Sequence, residues 1–443
     1  MAPSTEIASM DNILHHITTS NNVMALNVTI KNSLPKDARD LILSGTLSSG
    51  QDPLDVLDAK ENSLGILYIL SARLQTMSTP PTWNLIDHFC EVFNPEQIRH
   101  APERVAMLFA GILRLASHYQ NMRLSLRSLR SLAMRYPPLP SHLTTIHARF
   151  LLVCAQTQSF THALPLLLNH HITDIATSLT PDISYLDNLI YHYLGGICLA
   201  ALGRWAESED YFEVCITAPG VVSALQVEAL KKMKLVQLIR QGSTSPLPKY
   251  TNNAILRAFK NSPYHAFVEA YPSNVEKMRS IIEKDRTLFQ TEKNAGLLSR
   301  AWARAPRWSL KKLTRTYVTL SLGEIGRQVG IKNEEEVRDL VLSMIEEGDV
   351  YATLSDKTVT FSDPPQSFTK EQVDRVLLRA QQECRELGIL DLDTGKSKDF
   401  LLKAIKSQDS SWSSSMAMGG EEEVFGMTVG HGGSSWAEEI GFS

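Results

Sequence analysis

Thirteen histidines are the side chains of this 443-residue chain that could most readily bind a metal. Two adjacent pairs stand out, His15-His16 and His170-His171, and the second is followed by Asp174. Adjacent side chains on a helix point about 100° apart, so such a pair suits chelation poorly. The sequence also lacks the His-x-His with a downstream Ser-x-x-Asp that marks deubiquitinase-like zinc proteases. We therefore predict no metal site.

The sequence also lacks complete motifs for nucleotide binding or nucleophilic catalysis. Gly45 and Gly50 have the spacing of a phosphate-binding loop, but Gln51 stands where that loop requires a lysine. No G-x-S-x-G, H-E-x-x-H or G-x-G-x-x-G motif occurs in the sequence. The five cysteines are scattered without a C-x-x-C pair, which argues against a disulfide framework and is typical of a reducing compartment. We predict a protein that is not an enzyme and has no cofactor.

One basic segment remains as a candidate binding element. Six cations are interleaved with Trp302 and Trp308, a composition that can bind single-stranded nucleic acid; they are Arg300, Arg304, Arg307, Lys311, Lys312 and Arg315. The whole chain carries a formal net charge of −4, which gives no general attraction for phosphate backbones. We therefore favour a solvated helix face, or a docking patch for an acidic partner, over direct nucleic-acid binding.

The elements that position these residues are predominantly helical. Over residues 6–240 apolar residues recur at helical spacing, and the breaks fall at clusters of turn residues. Between Tyr191 and Pro219, small and aromatic residues alternate as in a tetratricopeptide-like (TPR-like) helical hairpin, and such a unit is stable only when neighbouring pairs stack on it. The alternative is an isolated hairpin within a helix bundle. We predict a right-handed helical-repeat solenoid over 1–240.

The pattern of residues 310–362 differs from the purely helical pattern before it and predicts a winged helix. Ser321 and Glu324 form a capping box for a helix that stops at Gly330. A second helix follows, and then two β-prone runs, 350–354 and 358–361, flank a turn. Between Lys332 and Asp349 there are two basic and seven acidic residues, which would repel a DNA duplex. This module is therefore expected to bind protein.

The C-terminal part begins with a helix capped by Thr369. Apolar residues form one stripe along it: Val373, Val376, Leu377, Ala380, Cys384 and Leu387. The predicted organisation is helical repeats over 1–240, a second domain over 241–365 that contains the winged helix, C-terminal helices over 366–406, and a disordered Ser/Gly-rich acidic tail over 407–443. No basic, apolar leader and no run of 18 apolar residues is present, so neither a secretory signal nor a membrane span is expected.

Helical repeats that lead into a winged helix resemble the PCI-domain family, and separate segments are similar to its subunit-three branch in the COP-nine signalosome. The most specific are E-N-S-L-G at 61–65 and L-P-K-Y-T at 247–251. Others lie within 57–67, 143–148, 163–167, 193–196, 216–219 and 313–322. The resemblance covers roughly residues 50 to 365 and implies that 241–365 is a PCI domain.

The resemblance implies a non-catalytic scaffold subunit of the signalosome, which removes the ubiquitin-like modifier Nedd8 from cullins of cullin-RING ubiquitin ligases. It also implies other PCI and MPN subunits as partners, indirect contact with neddylated cullin-RING ligases, and a place in cytoplasm and nucleus. A PCI scaffold subunit of the proteasome lid or of a translation initiation factor complex is the alternative. The predicted partner interface consists of the wing residues Val350, Tyr351, Ala352, Val359 and Phe361 and the helical stripe Val373, Val376, Leu377, Ala380 and Leu387.

Overall fold

The computed structural model describes residues 9–77, 79–180, 182–363, 368–398, 400–403 and 405. The chain divides into two units, Met1–Ser362 and Asp363–Ser443, and each is described by itself. The predicted disordered tail over 407–443 lies outside the described residues. The boundaries predicted for the other regions stay predictions.

The first unit begins with a stack of helices around one hydrophobic core. In chain order they are α1 (Met10–Thr19), α2 (Val23–Ser33), α3 (Lys36–Leu43), α4 (Pro53–Val56), α5 (Ser63–Thr76), α6 (Trp83–Val92), α7 (Pro95–Ile98), α8 (Pro102–His118), α9 (Ser125–Arg135), α10 (Thr145–Gln156), α11 (Leu164–Asn169) and α12 (Tyr185–Ala201). Two 3-10 turns, Met122–Leu124 and Phe160–His162, and a two-residue parallel pairing of β1 (His142–Leu143) with β2 (Asp174–Ile175) connect them.

A second core follows where α12 packs on α13 (Trp205–Thr217), and α13 packs on α14 (Ala224–Gln241). Five further helices complete it: α15 (Asn253–Lys260), α16 (Pro263–Ala270), α17 (Val275–Lys284), α18 (Arg286–Thr291) and α19 (Ala295–Leu313). The α12–α13 approach depends on glycine, because a Cβ added at Gly195 or Gly196 would lie 2.6 Å from the Tyr211 ring or 2.7 Å from the Phe212 ring. Small residues thus let the predicted helical hairpin close.

The winged helix forms the third core, and its elements follow the predicted order. They are β3 (Thr319–Ser321), α20 (Leu322–Val329), α21 (Glu334–Glu346), β4 (Ala352–Ser355) and β5 (Thr358–Phe361). The capping box of Ser321 and Glu324 is present, and Gly330 ends α20 with a φ of 83°. Both predictions are confirmed. The antiparallel sheet has the order β3-β5-β4, with Thr353 opposite Thr360.

The second unit contains α22 (Lys370–Lys396), whose first turn is capped by the Thr369 side chain as predicted. Helical backbone is also present at Lys398, 400–403 and Ile405. None of the residues of α22 is buried within the chain. The structure is therefore mainly α, with helical repeats, a winged helix and a C-terminal helix, which confirms the predicted fold class. Among the described helices, none has the length and hydropathy that crossing a bilayer requires.

Candidate interaction surfaces

His147 and His170 contribute to the packing of the helical repeats. His147, at the third position of α10, accepts the Thr144 backbone N–H through Nδ1 at 2.9 Å and so caps that helix. Its ring lies 5.8 Å from that of His170, and both are buried. Burial, with a smaller effect of His170, lowers the pKa of His147 to about 3. In the part of the chain that the structure describes, no three potential ligands are grouped as a metal site.

The glycine-spaced segment after α3 already has an anionic partner. The Ser48 backbone N–H donates to Asp11 Oδ1 at 3.2 Å, and the Ser48 hydroxyl donates to the same oxygen at 2.9 Å. A carboxylate therefore takes the donors that a phosphate would need. This arrangement agrees with the mismatch at Gln51, where the loop lysine is missing.

The cysteines divide by burial. Four are buried free thiols, Cys90, Cys154, Cys198 and Cys215, while Cys384 on α22 is exposed. Burial raises the pKa of Cys198 and of Cys215 to about 12. These two thiols are therefore protonated at neutral pH and behave as small apolar side chains.

Half of the basic segment, which begins on α19, is used inside the fold. Arg304 donates to the carbonyl of Ile239 at 3.0 Å, near the end of α14. Arg307 Nη2 donates to Glu347 Oε1 at 2.8 Å, which ties α19 to the end of α21. Arg300 stacks over the Trp205 ring at 5.5 Å. These three cations are engaged with the chain itself, whereas Lys311, Lys312 and Arg315 form no ion pair among the described residues.

The wing presents one open strand edge. Among the described strands, β4 pairs with β5 alone, so its other side is an edge. The Ser362 N–H donates to the Tyr351 carbonyl at 2.8 Å, which places the backbone groups of Tyr351 toward β5. Backbone groups alternate in direction along an antiparallel strand. Those of Ala352 and Leu354 therefore point outward, where they could pair with a strand of another chain.

The structure distributes the predicted wing residues between core and surface. Val350, Val359 and Phe361 are 5%, 0% and 7% exposed and belong to the winged-helix core. Ala352 is partly buried against that core, and Tyr351 is 42% exposed. A partner at this edge would therefore meet the backbone of β4 and the Tyr351 ring, whereas the other apolar side chains face inward. The assignment of these residues to an interface stays a prediction.

The stripe on α22 is accessible along its length. Val373, Val376, Leu377 and Leu387 are between 43% and 68% exposed, and Ala380 is exposed as well. The predicted stripe ends at Leu387, although further exposed apolar residues follow at Ile389, Leu390 and Leu392. Their close spacing in the sequence could have predicted that the apolar surface of α22 continues beyond Leu387. Its role in partner binding stays a prediction.

Comparisons with known proteins cover most of the chain. The family described as COP9 signalosome complex subunit 3, N-terminal helical repeats, matches residues 27–255, and the PCI domain family matches residues 276–363. The COP9 signalosome complex subunit 3 of Dictyostelium discoideum is 30% identical over 356 residues, which are 76% of this chain and 84% of that protein.

The protein of the same description from Drosophila melanogaster is 28% identical over 390 residues, which cover 80% of this chain and 86% of the relative. The helical-repeat match and the winged helix lie in the same order as the resemblance predicted. The match to the helical repeats spans about half of the chain, and the match to the PCI domain follows it. The chain therefore belongs to the family of COP9 signalosome complex subunit 3.

Proposed function

We propose that this chain is a non-catalytic scaffold subunit of the COP9 signalosome, an assembly that removes Nedd8 from cullins of cullin-RING ligases. Its partners are the other PCI and MPN subunits, and it meets neddylated cullins only indirectly. It needs no cofactor and acts in cytoplasm and nucleus. The observation that carries this proposal is the row of exposed apolar side chains along α22.

The energetics of that row favour a bundle of several helices. Burying one Val or Leu side chain contributes roughly 1.5–3 kcal/mol, and about half of the surface of each of the four largest is accessible. Together they offer roughly 3–6 kcal/mol, whereas association costs on the order of 4–15 kcal/mol. A single pair of helices would be marginal. Several C-terminal helices from different subunits would bury the stripe of α22 completely and add apolar contacts with one another.

The open edge of β4 supplies a second, directional contact. A partner strand paired there would satisfy the outward backbone groups of Ala352 and Leu354, and the exposed ring of Tyr351 would pack beside it. Backbone pairing fixes the register and orientation of the partner strand and adds affinity through its hydrogen bonds. Both surfaces therefore hold neighbouring subunits, and the strand edge also fixes their orientation.

A PCI subunit of the proteasome lid or of a translation initiation factor would share both surfaces. The relatives named above, which are signalosome subunits, favour the signalosome. Partner identity separates the alternatives. Affinity capture of the tagged full chain, followed by mass spectrometry, should recover signalosome PCI and MPN subunits, and recovery of lid or initiation-factor subunits instead would contradict the assignment.

The contribution of α22 can be isolated with a matched pair of variants. Leu377→Glu places a charge within the stripe, whereas Leu378→Glu places the same charge on a neighbouring exposed leucine about 100° around the helix. We expect Leu377→Glu to remove most of the captured subunits and Leu378→Glu to retain them. Equal capture by both variants would show that the stripe does not hold partners.

The non-catalytic assignment needs a separate assay. The purified chain, alone, is incubated with a neddylated cullin, and the assembled complex containing it serves as the positive control. We expect cleavage by the complex and none by the isolated chain. Cleavage by the isolated chain would overturn the scaffold proposal, whatever the capture experiment shows.

A further inference from the structure

A cavity of about 440 Å³ lies between α14, α16 and α19 in the first unit. Its apolar and aromatic lining, called the floor, consists of Leu238, Val268, Tyr271, Pro272 and Trp308, while Gln241, Ser243 and Thr244 add polar groups. The wall on one side is the turn that ends α14 at Gly242, where a Cβ would lie 2.5 Å from the Trp308 ring. The indole therefore packs closely on a glycine and is held in place.

The rim of this cavity carries the half of the basic segment that the fold leaves without an ion pair. Lys311 and Lys312, in the last turn of α19, and Arg315, two residues after that helix, all line it. None of them forms an ion pair with a described carboxylate, while Lys311 lies over the Trp308 ring at 5.4 Å. Among the described residues that line the cavity, none is acidic. Three cations without a compensating acid form a site for negative charge.

Two neighbouring cavities differ from this one in charge, whereas a smaller cavity of about 230 Å³, lined by Lys232, Lys293 and Arg300, also has no acidic residue in the described part of its lining. The cavity of about 490 Å³ beside Trp302 includes Glu283 with Arg279 and Arg286. The cavity of about 690 Å³ beside α20 includes Glu276 and Glu334 with its cations. In both, acidic side chains lie beside the basic ones. The Trp308 cavity combines an apolar floor with an uncompensated basic rim.

The indole N–H of Trp308 is buried and has no hydrogen-bond partner among the described residues, so the ring contributes apolar surface to the cavity. The cavity therefore offers an apolar surface and three positive charges within one site.

We propose that the Trp308 cavity binds an acidic peptide segment of a partner chain, with an apolar side chain of that segment on the cavity floor and its carboxylates on the basic rim. A small inorganic polyanion would use the rim and leave the floor empty. A peptide with an apolar residue between acidic ones uses both, and a cavity of this size holds such a side chain. Binding at this site does not depend on the proposed role in the signalosome.

The test uses the full chain and a fluorescein-labelled peptide in which Leu-Phe is flanked by glutamates, with fluorescence polarisation as the readout. A second peptide of equal charge carries Ser-Ser in place of Leu-Phe. We expect the first peptide to bind at least about tenfold more tightly. Binding should weaken as ionic strength rises from about 0.05 M to about 0.5 M, because salt screens the rim.

Matched charge reversals locate the site. The double variant Lys312→Glu, Arg315→Glu changes the rim, and the control Arg257→Glu, Lys260→Glu makes the same change on the exposed side of α15. We expect the rim variant to lose affinity on the order of tenfold or more and the control to bind normally. Thermal unfolding of both variants should match that of the unmodified chain, which shows that the rim variant is folded.

Four results would overturn the proposal. No binding of the Leu-Phe peptide, or equal binding of the Ser-Ser peptide, would show that the cavity floor is not used. An equal loss in the two double variants would indicate general charge attraction. Displacement of the peptide by inorganic tripolyphosphate at lower concentration than by unlabelled peptide would identify a phosphate site instead.

Discussion

His147 combines two structural roles in one buried side chain. Its Nδ1 accepts the Thr144 N–H, which satisfies a donor at the start of α10, and its ring packs between those of His170 and Tyr191. Both roles require the neutral imidazole, because a protonated ring cannot accept at Nδ1 and would be a charge in an apolar layer. Protonation of His147 would therefore remove the cap of α10.

Acid should destabilise the helical repeats through this layer. Burial lowers the pKa of His147 from 6.5 to about 3, and also lowers the pKa values of His170 and His192. As pH falls below 6.5 the unfolded chain binds protons that the folded chain does not, so the free energy of unfolding decreases. At pH 5 His147 alone should cost about 2 kcal/mol. Urea unfolding at about pH 7.5 and pH 5 measures the difference.

Two variants test whether His147 causes the loss of stability in acid. His147→Gln retains a capping acceptor at the third helical position and removes the titrating group, so its pH dependence should be smaller. The exposed His15 changed to Gln should leave the pH dependence unchanged. An unchanged slope in His147→Gln would show that other groups cause the acid sensitivity.

Buried charges on α14 show why single residues are hard to place from sequence. Lys231 and Lys232 are 8% and 4% exposed, although lysine is a surface residue by type. Lys231 donates to Glu292 at 2.8 Å, and Lys232 donates to Asn294 at 2.6 Å. These partners lie about sixty residues away in sequence. The sequence of α14 itself gives no indication of these distant partners. The lysines therefore interrupt the apolar pattern of a helix that is in fact buried.

At the scale of elements, the close contact of α12 with α13 depends on small residues. Gly196 faces the Phe212 ring so closely that even a methyl group would lie 2.7 Å from it. Gly196→Ala should therefore destabilise the fold by roughly 1–3 kcal/mol through overpacking. Gly296→Ala, on α19 with nothing within 4 Å, is the matched control and should be neutral or stabilising by about 0.5 kcal/mol. Denaturant midpoints compare the two, and equal effects would contradict the role of close packing.

Proline can test the open edge of β4 without a change of charge. Ala352→Pro removes an outward N–H, which the fold does not use, and proline is tolerated on edge strands. Thr353→Pro removes an N–H that points toward β5 and should unfold the wing. We expect Ala352→Pro to keep its thermal midpoint but to capture fewer partner subunits. Full capture by this variant would show that partners do not pair with β4.

The winged helix could be predicted from sequence because its signals are local. The capping box at Ser321, the stop at Gly330 and the hairpin turn near Asp356 each depend on a few neighbouring residues. The direction of the side chains is a tertiary property. Val359 and Phe361 looked available for a partner because the strand was expected to be an edge, but α20 and α21 cover that face of the sheet. Which face of the sheet is covered depends on how these helices pack against it. The short alternation of apolar and polar residues in the strand does not determine that packing.

In the whole molecule, the first unit contains all three hydrophobic cores, whereas α22 in the second unit has no buried residue. All three hydrophobic cores are complete by Phe361, and they succeed one another along the chain as repeats, second helical layer and winged helix. Unit 2 has exposed apolar residues over its described length. This contrast explains why a helical pattern in the sequence predicted α22 well but could not say whether it folds within the chain or serves other subunits.

Deletion of residues 363–443 should therefore leave the first unit stable. No residue of the three cores is removed, so the thermal midpoint should change by less than about 2 °C, the shift expected for a fraction of a kcal/mol in a chain of this size. Leu310→Ala is the reference for a core defect: this fully buried side chain should cost about 2–5 kcal/mol and lower the midpoint clearly. A drop in midpoint comparable to that of Leu310→Ala would mean that unit 2 stabilises its own chain, and the case for α22 as a surface for other subunits would fail.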